Sequence, residues 1–281
     1  MEKVQVIERS RNWLRLDLKE LIEYRDLLFL LVRRDFLAKY KQTILGPLWF
    51  VLQPLLTTVV FTIIFGKIVR IPTEGTPPLL FYLCGMLGWS YFAHCMNNTS
   101  TTFIANASLF GKVYFPRLIV PLSVVISNFF AFVLQFGVFM CFWMYYKLCT
   151  PVGELIRLNA VMFLLPFLVI LTGGLVLAVG LWMSALTARY RDFVYLTGFL
   201  SQLWLYLTPV IYPLSAVPER WRWVSVLNPM TAVVETYRYT FLGTGNLRWD
   251  LLGISCLIST LLFISGLIIF NRVSKTCIDT V

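Results

Sequence analysis

Six stretches of this chain run without a single Asp, Glu, Lys or Arg: 45–66, 79–98, 118–146, 158–188, 193–212 and 251–270. About 20 apolar residues in a helix cross the hydrocarbon layer, and each stretch is long enough. A lipid-facing backbone must satisfy its own polar groups, which leaves helices or closed barrels. Uncharged runs of this length specify helices, so the pattern predicts an all-α polytopic membrane protein with six transmembrane helices. Pro54 kinks the first. The second runs on through uncharged residues to Leu109. The third and fourth are longer than a crossing needs, so they tilt or project beyond the bilayer.

Composition agrees. The chain is 58% hydrophobic and 14% charged over 281 residues, against roughly 45–50% and about 25% in soluble domains. A net charge of +10 raises nucleic acid as a partner. That is excluded because the cations flank apolar spans rather than forming a solvated basic face. The six cysteines are scattered, with no CxxC, and read as small buried hydrophobes. The charged segment at positions 1–26 lacks the apolar core of a cleavable signal.

Lysine and arginine set the orientation. With the N-terminus inside, the inner segments hold 16 of the 24, ten of them before the first span. Both termini are then cytoplasmic. So is the segment LFGKVYFPRLIVP between spans two and three, where Gly111 and Pro116 bound a turn that presents Val113, Tyr114 and Phe115.

Two segments are neither spans nor plain loops. In residues 18–42, Leu18, Leu21, Ile22, Leu28 and Val32 recur near helical spacing with charges between them. This is an amphipathic helix on the inner leaflet, or a cytosolic helix packed on a partner. Residues 213–250 form short outer-face helices, re-entrant where protein or a water cavity shields the backbone. Trp221, Trp223, Tyr237 and Tyr239 suit a membrane interface. Asn228-Pro229 starts a helix to Leu242 with proline in its first turn, and Glu235 pairs with Arg238 three residues on.

What the spans lack is informative. Ion-coupled carriers generally place ionisable groups at membrane depth; here only His94 is present, and it caps or packs more readily than it shuttles protons. There is no metal-ligand cluster, no DxD acid pair for a lipid-linked glycosyltransferase, and no GxxxxGK[ST] phosphate loop. If the chain moves a solute, a partner therefore supplies the energy. The spans are rich in aromatics, among them Trp49, Tyr82, Trp89, Tyr91, Phe136 and Trp143. These pack or face lipid, or they line a path along which a neutral sugar polymer slides. Polar residues at span depth, including Gln53, Asn97, Asn98, Gln135 and Gln202, hydrogen-bond a cargo or join helix to helix. Gly173, Gly174 and Gly180 permit close helix contact. Six spans are few for a large solute, and a homodimer would enclose a path more readily.

Five stretches taken together carry a family resemblance: QTILGPLWFVLQP at 42–54, KVYFPRLIVP at 112–121, ARYRD at 188–192, LTPVIYP at 207–213 and NPMTAVVETYR at 228–238. In this order they resemble the type-2 ABC transporter permeases that export polysaccharides, above all O-antigen exporters of the Wzm kind, with teichoic-acid exporters as near relatives. The family often has Ser where this chain has Thr208. The resemblance implies a homodimer bound to two copies of an ABC ATPase subunit, which holds ATP and magnesium; no cofactor or metal is expected in this chain. It implies a bacterial inner-membrane location and a cargo of polysaccharide on polyprenyl pyrophosphate, with capsule, teichoic acid or a smaller glycolipid as alternatives to O-antigen. Residues 1–42 would be a cytoplasmic N-terminus with a gate helix bearing Arg25, Arg33 and Arg34, and 43–281 the transmembrane domain. The ATPase-coupling segment, 109–117, would act through Leu109, Phe110, Lys112, Tyr114, Phe115 and Arg117. A periplasmic gate would use Asn228, Pro229, Glu235, Tyr237 and Arg238.

Overall fold

The computed structural model describes residues 18–41, 43–154, 159–245 and 247–276. Expectations placed on positions 1–17, on Gln42 and on the start of the fourth span at Leu158 lie outside them. Among the described residues every regular element is helical. In chain order the α-helices are α1 (Leu18–Glu23), α2 (Arg25–Tyr40), α3 (Trp49–Phe61), α4 (Pro78–Ser100), α5 (Thr102–Ala105), α6 (Ala107–Phe110), α7 (Ile119–Cys149), α8 (Leu165–Arg189), α9 (Phe193–Leu207), α10 (Arg222–Leu227), α11 (Pro229–Leu242) and α12 (Trp249–Thr276).

Among the described residues, five helical stretches are long and apolar enough to cross a membrane: Gly46–Ile68, which contains α3, and those built on α4, α7, α8 and α12. The fifth expected span is shorter than its uncharged run. α9 has 15 residues, about 22 Å at 1.5 Å per residue, against a hydrocarbon thickness of roughly 30 Å. It stops because Thr208-Pro209 turns the chain into the bundle, where Val210 and Ile211 are buried.

α4 is the axis of the fold. Most of its residues are buried, and α3, α7, α8, α9 and α11 pack around it. Proline starts it at Pro78, a position where the missing N–H costs nothing. It ends where Ser100, Thr101 and Thr102 turn their side chains onto their own backbone. Their hydroxyls donate to the carbonyls of Asn97, Asn98 and Thr99. Such bonds compete with the helical ladder, so the expected continuation to Leu109 is broken into α5 and α6. Close contact with α8 depends on Gly180, where a Cβ would meet Thr99 at 2.6 Å. Gly174, by contrast, faces open space.

One end of the bundle gathers α1, α2, residues 101–118 and the last turns of α8 and α12, where Phe103 stacks on Phe270 at 4.8 Å. The opposite end gathers residues 69–77, 150–154, 159–164, 208–245 and 247–248. The expected single N-terminal helix is two, broken at Tyr24. Leu21, Leu27, Leu28 and Leu31 pack on Phe115, Ile119 and Val120 of the same chain. Ile22, Phe29, Leu30 and Leu37 remain exposed on the other side. α2 is therefore apolar on two faces, one of them already used. Cys84 and Cys95 are buried as expected, whereas Cys141 and Cys149 lie exposed on α7.

Candidate functional site

The segment 109–117 folds as the end of α6 followed by an irregular turn. Its residues divide by face. Lys112, Val113 and Tyr114 are exposed, with Tyr114 at 69%. Phe115 is buried, stacked on Phe110 at 5.6 Å and seated against Leu31 of α2. The expectation that Phe115 is presented outward is thus corrected: an aromatic beside α2's apolar face gains more from burial than a lysine or tyrosine would. Arg117 lies over the Phe110 ring at 5.8 Å. Leu109 packs into the same cluster. Arg34 ties α2 to the start of α6, donating to Asn106 Oδ1 at 3.1 Å and pairing with Asp35. Arg25 and Arg33 are exposed.

At the other end the centre is Arg238 on α11, 1% exposed. Its Nη2 donates to the Val210 carbonyl at 2.7 Å, and its Nη1 to the Tyr212 carbonyl at 3.2 Å and to Glu235 Oε1 at 3.1 Å. The guanidinium also lies 3.7 Å over the Phe81 ring of α4. Gly85 makes room for it; a Cβ there would meet Arg238 Nη2 and the Val210 carbonyl at 3.1 Å. Burial pushes the Glu235 carboxyl above its ordinary value, and the neighbouring guanidinium opposes that. Burial lowers the Arg238 value in turn, with Glu235 opposing. The expected Glu235–Arg238 pair is present, and it is a buried clamp rather than a surface pair.

Asn228 holds the start of α11. Its Oδ1 accepts from the Met230 amide at 3.1 Å, capping the helix, and from Trp204 Nε1 at 3.0 Å. Its Nδ2 donates to Thr208 Oγ1 at 2.9 Å, so the Thr208 hydroxyl is in use. Pro229 is buried in the first turn. The last carbonyls of α11 are met from other elements: Trp143 Nε1 donates to the Phe241 carbonyl, and Asn159 Nδ2 to that of Tyr239. Tyr237, expected at an interface, is 1% exposed and packs on Gly88 of α4. Trp221 and Trp223 are exposed, as an interfacial position requires. Outside this clamp, Glu74 accepts from Ser215 Oγ at 2.6 Å and joins the loop after the first span to the segment after α9.

The six aromatics expected to line a pathway do not share a face. Tyr82, Trp89 and Tyr91 are buried in the chain's own core, Phe136 packs edge-on against Phe241, and Trp143 caps α11. Trp49 is exposed on α3. A different aromatic stripe is exposed on α9: Tyr195, Phe199 and Tyr206, with Gln202 on the same face. Beside it, Asn97 and Asn98 of α4 are half-buried, and Asn97 Nδ2 reaches Ser201 Oγ at 3.5 Å. The signal for that stripe is the spacing 195, 199, 202 and 206, which puts four side chains on one side of a helix.

Comparison with known proteins gives these features a context. The sequence profile of the ABC-2 type transporter family matches residues 26–242. Two proteins of Klebsiella pneumoniae, each named O-antigen export system permease protein RfbA, are 29% and 28% identical to this chain. Each alignment covers 88% of this chain and 92% of the relative. A protein of the same name from Myxococcus xanthus is 30% identical over 79% of this chain and 83% of its own length.

Proposed function

Since the chain belongs to the ABC-2 type transporter family, we propose that it is the membrane permease of an ATP-driven exporter whose cargo is an O-antigen-type polysaccharide carried on polyprenyl pyrophosphate. The observation that carries this reading is similarity along most of the chain to proteins named O-antigen export permeases. ATP hydrolysis belongs to a separate subunit, consistent with the absence of a phosphate loop from the sequence.

In this reading the chain crosses the inner membrane six times with both termini in the cytoplasm. α9 completes the fifth crossing together with the turn at 208–212. The exposed turn Lys112–Val113–Tyr114 enters a groove on the ATPase subunit. Phe110, Phe115 and Arg117 carry the displacement into α2 and α7, against which they pack. The exposed apolar sides of α3 and α9 meet a second copy of the chain or lipid. The α9 stripe and the Asn97–Asn98 edge of α4 offer aromatic faces and amides to sugar rings. α11, held by Arg238 and Asn228, forms the floor of the periplasmic gate.

The test is biochemical. Purified alone, the chain hydrolyses no ATP; expressed with its partner ABC ATPase, it co-purifies as two permeases with two ATPases and hydrolysis appears. Robust hydrolysis by the chain alone overturns the reading.

A further inference from the structure

The first span is the least buried of the five long ones, held mainly by α4 and α7. Pro54 sits inside it. Proline has no N–H, so the carbonyl four residues earlier loses its helical donor and the helix is weakened there. That carbonyl belongs to Phe50. In the apolar membrane interior a carbonyl without a donor is costly. α7 supplies the donor: Gln135 Nε2 reaches the Phe50 carbonyl at 2.9 Å. Gln135 is 7% exposed, and its Oε1 is buried with no hydrogen-bond partner among the described residues. A small cavity lined by Pro54, Leu55, Leu83, Met86, Leu87 and Gln135 lies at the same junction. The slack continues along the span. Thr57, Thr58 and Thr62 hydroxyls donate to the carbonyls of Gln53, Pro54 and Thr58, a pattern that bends helices. From Thr62 the helix widens into a π-helix that runs to Ile68.

We propose that Pro54 and Gln135 form a hinge for the first span, with Gln135 as a positioning residue that clamps the Phe50 carbonyl in one position of the span and releases it when the span swings on α4 and α7. The idle Oε1 and the small adjoining cavity leave the Gln135 amide incompletely satisfied at this junction. The functional part rests on the exporter reading; the hinge itself does not.

Four proteins test it in lipid nanodiscs: the natural chain, Gln135→Met, Pro54→Ala and the double variant. Pro54→Ala restores the missing N–H, so the Phe50 carbonyl no longer needs Gln135. Gln135→Met should accelerate hydrogen exchange of the amides of Val51, Leu52, Gln53, Leu55 and Leu56 at least tenfold, and Pro54→Ala should cancel that acceleration in the double variant. In complexes with the ATPase, Pro54→Ala should lower export at least fivefold while ATPase binding stays intact. Gln135→Leu replaces the Met variant should that one not assemble. Exchange in Gln135→Met equal to the natural chain, or natural export by Pro54→Ala, overturns the hinge. The exchange measurement needs neither cargo nor ATPase, so a natural chain that fails to export but shows the predicted exchange pattern refutes the exporter reading and leaves the hinge standing.

Discussion

At the scale of single residues, Arg238 holds together the end of the bundle around α11. One guanidinium serves two backbone carbonyls, a carboxylate and an aromatic face at once. Removing one member of a buried ion pair strands the other and costs about 3–5 kcal/mol. Arg238→Ala should therefore sharply lower the melting temperature of the detergent-solubilised protein. Arg238→Lys should recover only part of it, because an ammonium lacks the planar fork that spans several acceptors. A natural melting temperature in Arg238→Ala would show that the clamp contributes little. The i,i+3 spacing made the Glu235–Arg238 pair readable from sequence, and Asn228-Pro229 marked the helix start. The depth of Arg238 was not readable, because it depends on Gly85 of a distant helix leaving space. The Trp204 and Thr208 contacts of Asn228 were likewise hidden, since both partners lie well before it in the chain, beyond α10.

At the scale of elements, the loop at 109–117 divides into an outer contact and an inner anchor. Lys112, Val113 and Tyr114 offer surface; Phe115 ties the loop to α2 and α7. The two parts should fail differently. Tyr114→Ala with Val113→Ser should weaken co-purification of the ATPase while leaving stability within about 0.5 kcal/mol of natural, as for exposed positions. Phe115→Ala empties a packed site, a change that typically costs about 3–5 kcal/mol, and should loosen α2 as judged by proteolysis between α2 and α3. Equal ATPase binding in the Tyr114/Val113 variant and the natural chain would remove this turn as the docking contact. Apolar runs and the basic, proline-bounded loop were legible because both are local in sequence. Which of its aromatics faces inward was not, since α2 lies far earlier in the chain. The same reason separates the aromatics expected to line a path from those exposed: Tyr82, Trp89 and Tyr91 are surrounded by helices whose arrangement no spacing encodes.

At the scale of the whole molecule, uncharged runs foretold five long helices to within a few residues at most ends. The shortened α9 escaped, because an uncharged sequence does not reveal where a chain turns inward at Thr208-Pro209. An axial helix, a peripheral first span on a proline junction, a clamp at one end and an anchored loop at the other suit a device that converts a push on the loop into movement of a loosely held span. Such a device should move a lipid-linked polysaccharide only when a separate ATPase hydrolyses ATP. The direct measurement is flux in proteoliposomes holding the permease, its partner ABC ATPase and polyprenyl-pyrophosphate-linked O-antigen, read by a lectin sealed on the far side of the bilayer from the ATPase. The expected result is a lectin signal that requires both proteins and ATP, and that vanishes when the ATPase carries an inactivating substitution. Lectin capture of equal size without ATP, or without the ATPase subunit, would contradict it.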